Sequence, residues 1–217
     1  MNRLTVLFSM TGPLHAPLPG RAIGRTLLML LFTCFSPFIL AQTPDRAQLG
    51  NDLARFQELY RLNPDDPAVN HDLGLALELS GRPTQAIRQY HRALSRQPDD
   101  ASLLVSLGRC NRQTGDMEHA IRLLEKAIQL APGDIDAWYE LAMTRADLGL
   151  LSEAGKALQQ VLALHPSGPR EGYIRLYIAT LALSSGDRET ALREQKALSA
   201  CDPERAETLA ALLAMGE

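Results

Sequence analysis

The side chains of this 217-residue chain best suited to chemistry are five histidines, three cysteines and two adjacent carboxylate pairs. The histidines are His15, His71, His91, His119 and His165, and no two stand at the HxxxH or HExxH spacing that places two imidazoles on one metal. The cysteines, Cys34, Cys110 and Cys201, form no CxxC and no Cys/His cluster, so zinc and dithiol redox chemistry find no ligand set. Cys110 and Cys201 fall in repeats two apart, too distant to bridge, and are expected as partly buried free thiols. Asp65-Asp66 and Asp99-Asp100 could pair for acid–base work, but each pair stands at a predicted helix boundary, where capping accounts for it. No phosphate-binding glycine loop and no GxSxG elbow occurs, and Ser167-Gly168 reads as a turn after Pro166. The expectation is a non-catalytic chain without cofactor or metal.

What positions these residues is a repeat. Pro64, Pro98, Pro132 and Pro166 stand 34 residues apart, as do Gly81, Gly115 and Gly149. The same step links Leu73, Leu107 and Leu141; Gly74, Gly108 and Ala142; and Ala86, Ala120 and Ala154. It also links Tyr90, Leu124 and Leu158, then Ala93, Ala127 and Val161. Each class has a physical task. The leucine at the seventh position and the large residue at the twenty-fourth fill the space between two helices. Glycine or alanine at the eighth and alanine at the twentieth let the two backbones approach. Glycine at the fifteenth closes the first helix in a left-handed cap, and proline at the thirty-second stops the second. Asp66, Asp100 and Asp134 are expected to cap the first helices, with Pro67 at a first-turn position, and Asp116 and Ser152 to cap second helices.

The pattern resembles the tetratricopeptide repeat family, over units 67–100, 101–134 and 135–168, with Trp138 at the fourth position that the family favours. A looser fourth unit spans 172–202, where Gly172 opens a helix and Gly186 closes it. Gln195 stands there where a large residue is expected, which predicts weaker packing. The resemblance implies an all-α, right-handed superhelical solenoid of antiparallel helix pairs. A capping helix over 43–66, with Leu49, Leu53, Phe56 and Tyr60 on one face, and another over 203–217, with Ala206, Leu209, Leu212 and Leu213 inward, would close its ends.

The resemblance also implies that first helices line a concave face, with ligand contacts at unit positions 2, 5, 6, 9 and 12. Carried across, these are His71 and Leu75; Val105, Arg109 and Arg112; Tyr139, Glu140 and Met143; and Tyr173, Leu176 and Tyr177. Tyrosines, a methionine and two arginines suit an extended or helical peptide with apolar anchors and a carboxylate for the arginines. Arg109→Ala or Tyr139→Ala is expected to abolish capture with little effect on stability. The carboxylate clamp of cytosolic cochaperones in this family is missing, because its cationic and amide positions hold His71, Leu75, Ser106, Asp136 and Glu140. Relatives of this appearance assist pilus, secretin or cytochrome assembly in bacterial envelopes, so a scaffold or assembly factor is implied.

Charge and the first 41 residues complete the expectation. They contain Arg3, Arg21 and Arg25 and no acid. Setting them aside removes three of the 22 basic and none of the 25 acidic residues, for a net of −6. An acidic body argues against nucleic acid. The apolar run from Leu27 to about Ala41 has the length of a signal-peptide core, with Pro37 and Ala41-Gln42 suiting cleavage. Export, most simply to the periplasm, is expected; retention of the run as a membrane anchor is the alternative, and Thr33 before Cys34 disfavours lipidation. Met10 is an alternative start. Partners are expected to be proteins or peptides, self-association through an end helix being possible, with membrane contact only through an uncleaved leader.

Overall fold

A computed structural model describes residues 46–164 and 170–215, all within the second of two compact units of the chain, Pro44–Glu217. The leader, the Thr43-Pro44 helix start, His165, Pro166, Ser167-Gly168 and Glu217 lie outside the described residues. Ten helices and no strand occur among those described. They are α1 (Arg46–Leu62), α2 (Pro67–Leu79), α3 (Pro83–Arg96), α4 (Ala101–Thr114), α5 (Met117–Leu130), α6 (Ile135–Asp147), α7 (Leu151–Leu164), α8 (Glu171–Ser185), α9 (Arg188–Cys201) and α10 (Pro203–Met215). Each packs on the next, with α2/α3, α4/α5, α6/α7 and α8/α9 as the tightest pairs.

The caps explain where helices begin. Asp66 Oδ1 accepts from the backbone N–H of Ala68 at 2.8 Å, Asp100 from Leu103 at 3.1 Å and Asp134 from Asp136 at 2.9 Å. Asp116 and Asp187 serve α5 and α9 in the same way, accepting from His119 and Thr190. Ser152 does not cap: α7 starts one residue earlier, at Leu151, which puts Ser152 inside the helix. Gly81, Gly115, Gly149 and Gly186 all have φ between 70° and 91°. At Gly115 the two backbone donors that follow the helix reach back to Arg112 and Asn111, satisfying its last carbonyls. Asp100→Ala should lower stability by about 1 kcal/mol, read by urea unfolding; no measurable change would mean the α4 cap is idle.

Repeat-equivalent residues occupy equivalent places. Leu73, Leu107 and Leu141 are 3%, 0% and 2% exposed, and Tyr90, Leu124 and Leu158 are fully buried. A Cβ on Gly74 would lie 2.5 Å from Tyr90 Cε1, and one on Gly108 would lie 2.8 Å from Leu124 Cγ, so the large residue of the second helix rests directly on the backbone of the first. The core is a chain of overlapping clusters. One joins Leu73, Leu77 and Tyr90 to Leu103 and Leu107, with Leu53, Phe56 and Tyr60 of α1 packed on it. Another ends the series with Leu198, Leu209 and Leu213, so α1 and α10 each cover an apolar face that a terminal unit cannot bury alone.

Two local features depart from the repeat. Asn70 takes the position that Trp138 takes two units later, and both donate to a proline carbonyl six residues back, Pro64 and Pro132, at 2.9 Å. In the fourth unit Gln195 is only half-buried, but the neighbouring Glu194 turns inward and binds Arg175 at 3.0 Å, which also holds Glu171 at 2.8 Å. An ionic bridge thus lies one residue from the position that holds a large apolar side chain in the other units. Cys110 is fully buried in the first cluster, whereas Cys201 is exposed, rather than both being partly buried.

Candidate functional site

Besides touching their own partners, the first helices touch one another, α2 with α4 and α4 with α6. That places them on the tighter, inner side of the stack. Along α2 the residues Ala68, Asp72, Leu75 and Leu79, spaced by four, three and four, share one stripe. All four are exposed. The same stripe carries Ser102, Ser106, Arg109 and Gln113 on α4, and Asp136, Glu140, Met143 and Asp147 on α6. Leu75 and Leu79 are 38% and 53% exposed, an apolar pair with no helix of the described residues laid over it.

Between these stripes runs an ionic ladder. Glu78 on α2, its side chain 6% exposed, receives Arg109 Nε at 2.5 Å and Nη2 at 3.2 Å. It also accepts from Tyr90 Oη at 3.0 Å and from Gln113 Nε2 at 3.3 Å. Arg109 approaches Glu140 of α6 at 3.9 Å, Arg112 lies 3.3 Å from Glu140, and Arg112 Nη1 donates to Asp147 at 3.0 Å. Three consecutive first helices are therefore tied by two guanidiniums and three carboxylates.

The chemistry of these groups is that of an ordered, desolvated network. Burial by itself would lower the pKa of Arg109, but the hydrogen bond and charge of Glu78 outweigh it and raise it. Burial, reinforced by Glu78, pushes the Cys110 thiol up to about 12, far from a nucleophilic thiolate at neutral pH. Burial also raises Glu140 above its usual 4.5, against the lowering effect of Arg112 and Arg109. A carboxyl raised on folding contributes its stability below its unfolded value and loses that contribution as pH climbs through the folded value. Wild type should accordingly lose stability relative to Glu140→Gln as pH rises from below 4.5 toward neutrality. Urea unfolding of both across that range checks it, and a gap of opposite slope would refute it. Among the described residues no three His, Cys, Asp or Glu side chains gather to hold a metal. A surface cleft of about 480 Å³ near Tyr60, Asn70, Arg92 and Arg96 also holds Ser95, whose hydroxyl donates to the Arg92 carbonyl, and Asp65, which pairs with Arg96.

Two family profiles, each described as tetratricopeptide repeat, match residues 71–135 and 111–171. The helices of this region are tetratricopeptide repeats. No curated protein matches the chain. Solved structures similar to the tetratricopeptide array include a MamA fragment from Desulfovibrio magneticus RS-1, 18% identical, with a TM-score of 0.65 over 87% of this chain and 98% of that one. A crystal structure of MamA is 19% identical over 78% of this chain and 93% of the other, with a TM-score of 0.63. MamA AMB-1 is 24% identical over 72% and 91%, again at 0.63. These likenesses are of fold.

Within the tetratricopeptide frame, the residues singled out from sequence divide into three groups. Leu75 is exposed on the inner stripe, and Arg109, Arg112 and Met143 lie on or beside it half-buried, Met143 against the cluster around Leu158. His71, Tyr139, Leu176 and Tyr177 are half-buried: His71 packs beside the Tyr90 ring, centroids 5.9 Å apart, and Tyr139 and Tyr177 lean on the cluster around Leu158 and Ile178. Burial raises the pKa of both tyrosines, that of Tyr177 to about 12. Tyr173 carries the guanidinium of Arg205, from α10, 3.5 Å over its ring. Val105 and Glu140 are only 5% and 7% exposed, the first packed against Leu104 and Leu124, the second spent on the ladder. Arg109 needs a correction: as the partner of a buried carboxylate it is a structural residue, so Arg109→Ala cannot be neutral for stability. Glu78, Leu79, Gln113 and Asp147 were missed, although Glu78 stands at the twelfth unit position, one of those implied to make contacts.

Proposed function

We propose that the chain is a non-catalytic scaffold or assembly factor of the bacterial cell envelope that binds a polypeptide segment along the inner face of its first helices. The observation that carries this reading is the exposed apolar pair Leu75 and Leu79 on the inner side of α2, with the half-buried Met143 at the Leu75 position two units on, beside an ionic floor. A floor already satisfied by its own partners spends no ligand energy on ordering itself, so apolar anchors contribute directly to affinity. A photo-crosslinking residue at Leu75 or Met143, compared with one at Leu192 on α9, tests it in the native host. Specific adducts from the two inner sites and none from Leu192 support the reading; equal labelling from all three refutes it.

The leader favours a second reading, an envelope-complex subunit anchored through Leu27–Leu40. No helix among the described residues is long and apolar enough to cross a membrane. Intact mass of the protein from the host separates the two readings: a chain beginning at Gln42 supports export with cleavage, and retention of the run supports anchoring.

A further inference from the structure

The charge of the inner face narrows what that segment is. Facing the groove from α2, α4 and α6 are the carboxylates of Asp72, Glu78, Asp136, Glu140 and Asp147, against two guanidiniums, Arg109 and Arg112. Both guanidiniums are already committed to carboxylates of the same face, at 2.5 Å and 3.0 Å for their closest pairs. Asp72 and Asp136 are exposed and outside the ladder, and Asp147, although it binds Arg112, keeps 44% of its side chain exposed; the three flank the exposed Leu75 and Leu79 and the half-buried Met143.

Resting on the peptide-binding reading, we propose that the groove selects a basic amphipathic segment, with apolar side chains on Leu75, Leu79 and Met143 and lysine or arginine side chains over Asp72, Asp136 and Asp147. An acidic segment meets uncompensated like charge there. It could reach Arg109 or Arg112 only by displacing Glu78, Glu140 or Asp147, and the first two, with side chains 6% and 10% exposed, would be left buried without a cation. A basic segment keeps the ladder intact and is attracted by the outer carboxylates. It should therefore bind faster and with marked salt dependence.

The test uses the full chain and three fluorescent peptides with one leucine pattern, whose polar positions are all lysine, all glutamine or all glutamate. The lysine peptide should bind at least about ten-fold tighter than the glutamate peptide at about 0.05 M salt, and the difference should collapse near 0.5 M. Asp72→Asn with Asp136→Asn, neither of which touches the ladder, should erase most of the preference; adding Asp147→Asn should erase more. Glu118→Gln with Glu189→Gln, on second helices, should leave it intact. Equal binding of all three peptides, or preference for glutamate, overturns the charge assignment and leaves the groove reading standing. A preference that survives the Asp72/Asp136 change overturns the location of the site. Binding of none of the three sinks both readings together.

Discussion

Tyr90→Ala should destabilise the array by about 3–5 kcal/mol, the largest loss from any single truncation in the first unit. The ring is fully buried, and it lies so close to the α2 backbone that a Cβ on Gly74 would stand 2.5 Å from its Cε1. Its neighbours Leu73, Leu107 and Ala93 are themselves 3%, 0% and 0% exposed, and the one half-buried ring beside it, His71, is polar and fills the space poorly. Removing the ring also strips one donor from Glu78, since Tyr90 Oη reaches that carboxylate at 3.0 Å. Tyr90→Phe separates the two contributions: it keeps the packing and loses only the hydrogen bond, for about 1–2 kcal/mol. Urea unfolding followed by circular dichroism measures both. If Phe proved as costly as Ala, the hydroxyl rather than the ring would be holding α2 to α3.

The same residue shows what the sequence makes legible. Tyr90 keeps the 34-residue step with Leu124 and Leu158, and a position recurring with one size class states its environment without coordinates. The helix pairs, the Gly74 and Gly108 contacts and the aspartate caps were readable for that reason: each is a short-range requirement repeated three times. Side-chain partnerships between units repeat less faithfully. Glu78 aligns with Arg112 and Ala146, so no period marks the ladder, and its members look like ordinary solvated charges until α2, α4 and α6 are set side by side. Val105 illustrates the same limit, for its unit position faces the groove in general while its own side chain packs on Leu104 and Leu124. In the fourth unit the expectation of weak packing at Gln195 missed the compensation one residue away. The period cannot show that Glu194 rotates inward to meet Arg175.

Glu78→Ala should cost about 3 kcal/mol, more than loss of any other member of the ladder. Four donors converge on this carboxylate: two from Arg109, one from Tyr90 and one from Gln113. Truncation leaves the Arg109 guanidinium, its side chain only 28% exposed, with Glu140 at 3.9 Å as its one remaining counter-ion. It also leaves the Tyr90 hydroxyl without an acceptor. That residual exposure of Arg109 keeps the cost at the lower end of what an orphaned buried charge exacts. The decisive comparison is a double-mutant cycle. Glu78→Met and Arg109→Met should each destabilise alone, the second because Glu78 would then be a buried carboxylate without its cation. Glu78→Met with Arg109→Met removes both charges while keeping volume, and should recover stability to within about 1 kcal/mol of wild type. If the double methionine variant is instead clearly less stable than wild type, though by less than the sum of the single losses, the pair is coupled and contributes net energy. The ladder then stabilises the stack of first helices itself, rather than only fixing the angle at which α2 and α4 meet. Peptide binding by the double variant distinguishes these outcomes in function. A floor that only sets geometry should lose affinity when its charges go, even with stability restored. A floor that only stabilises should not.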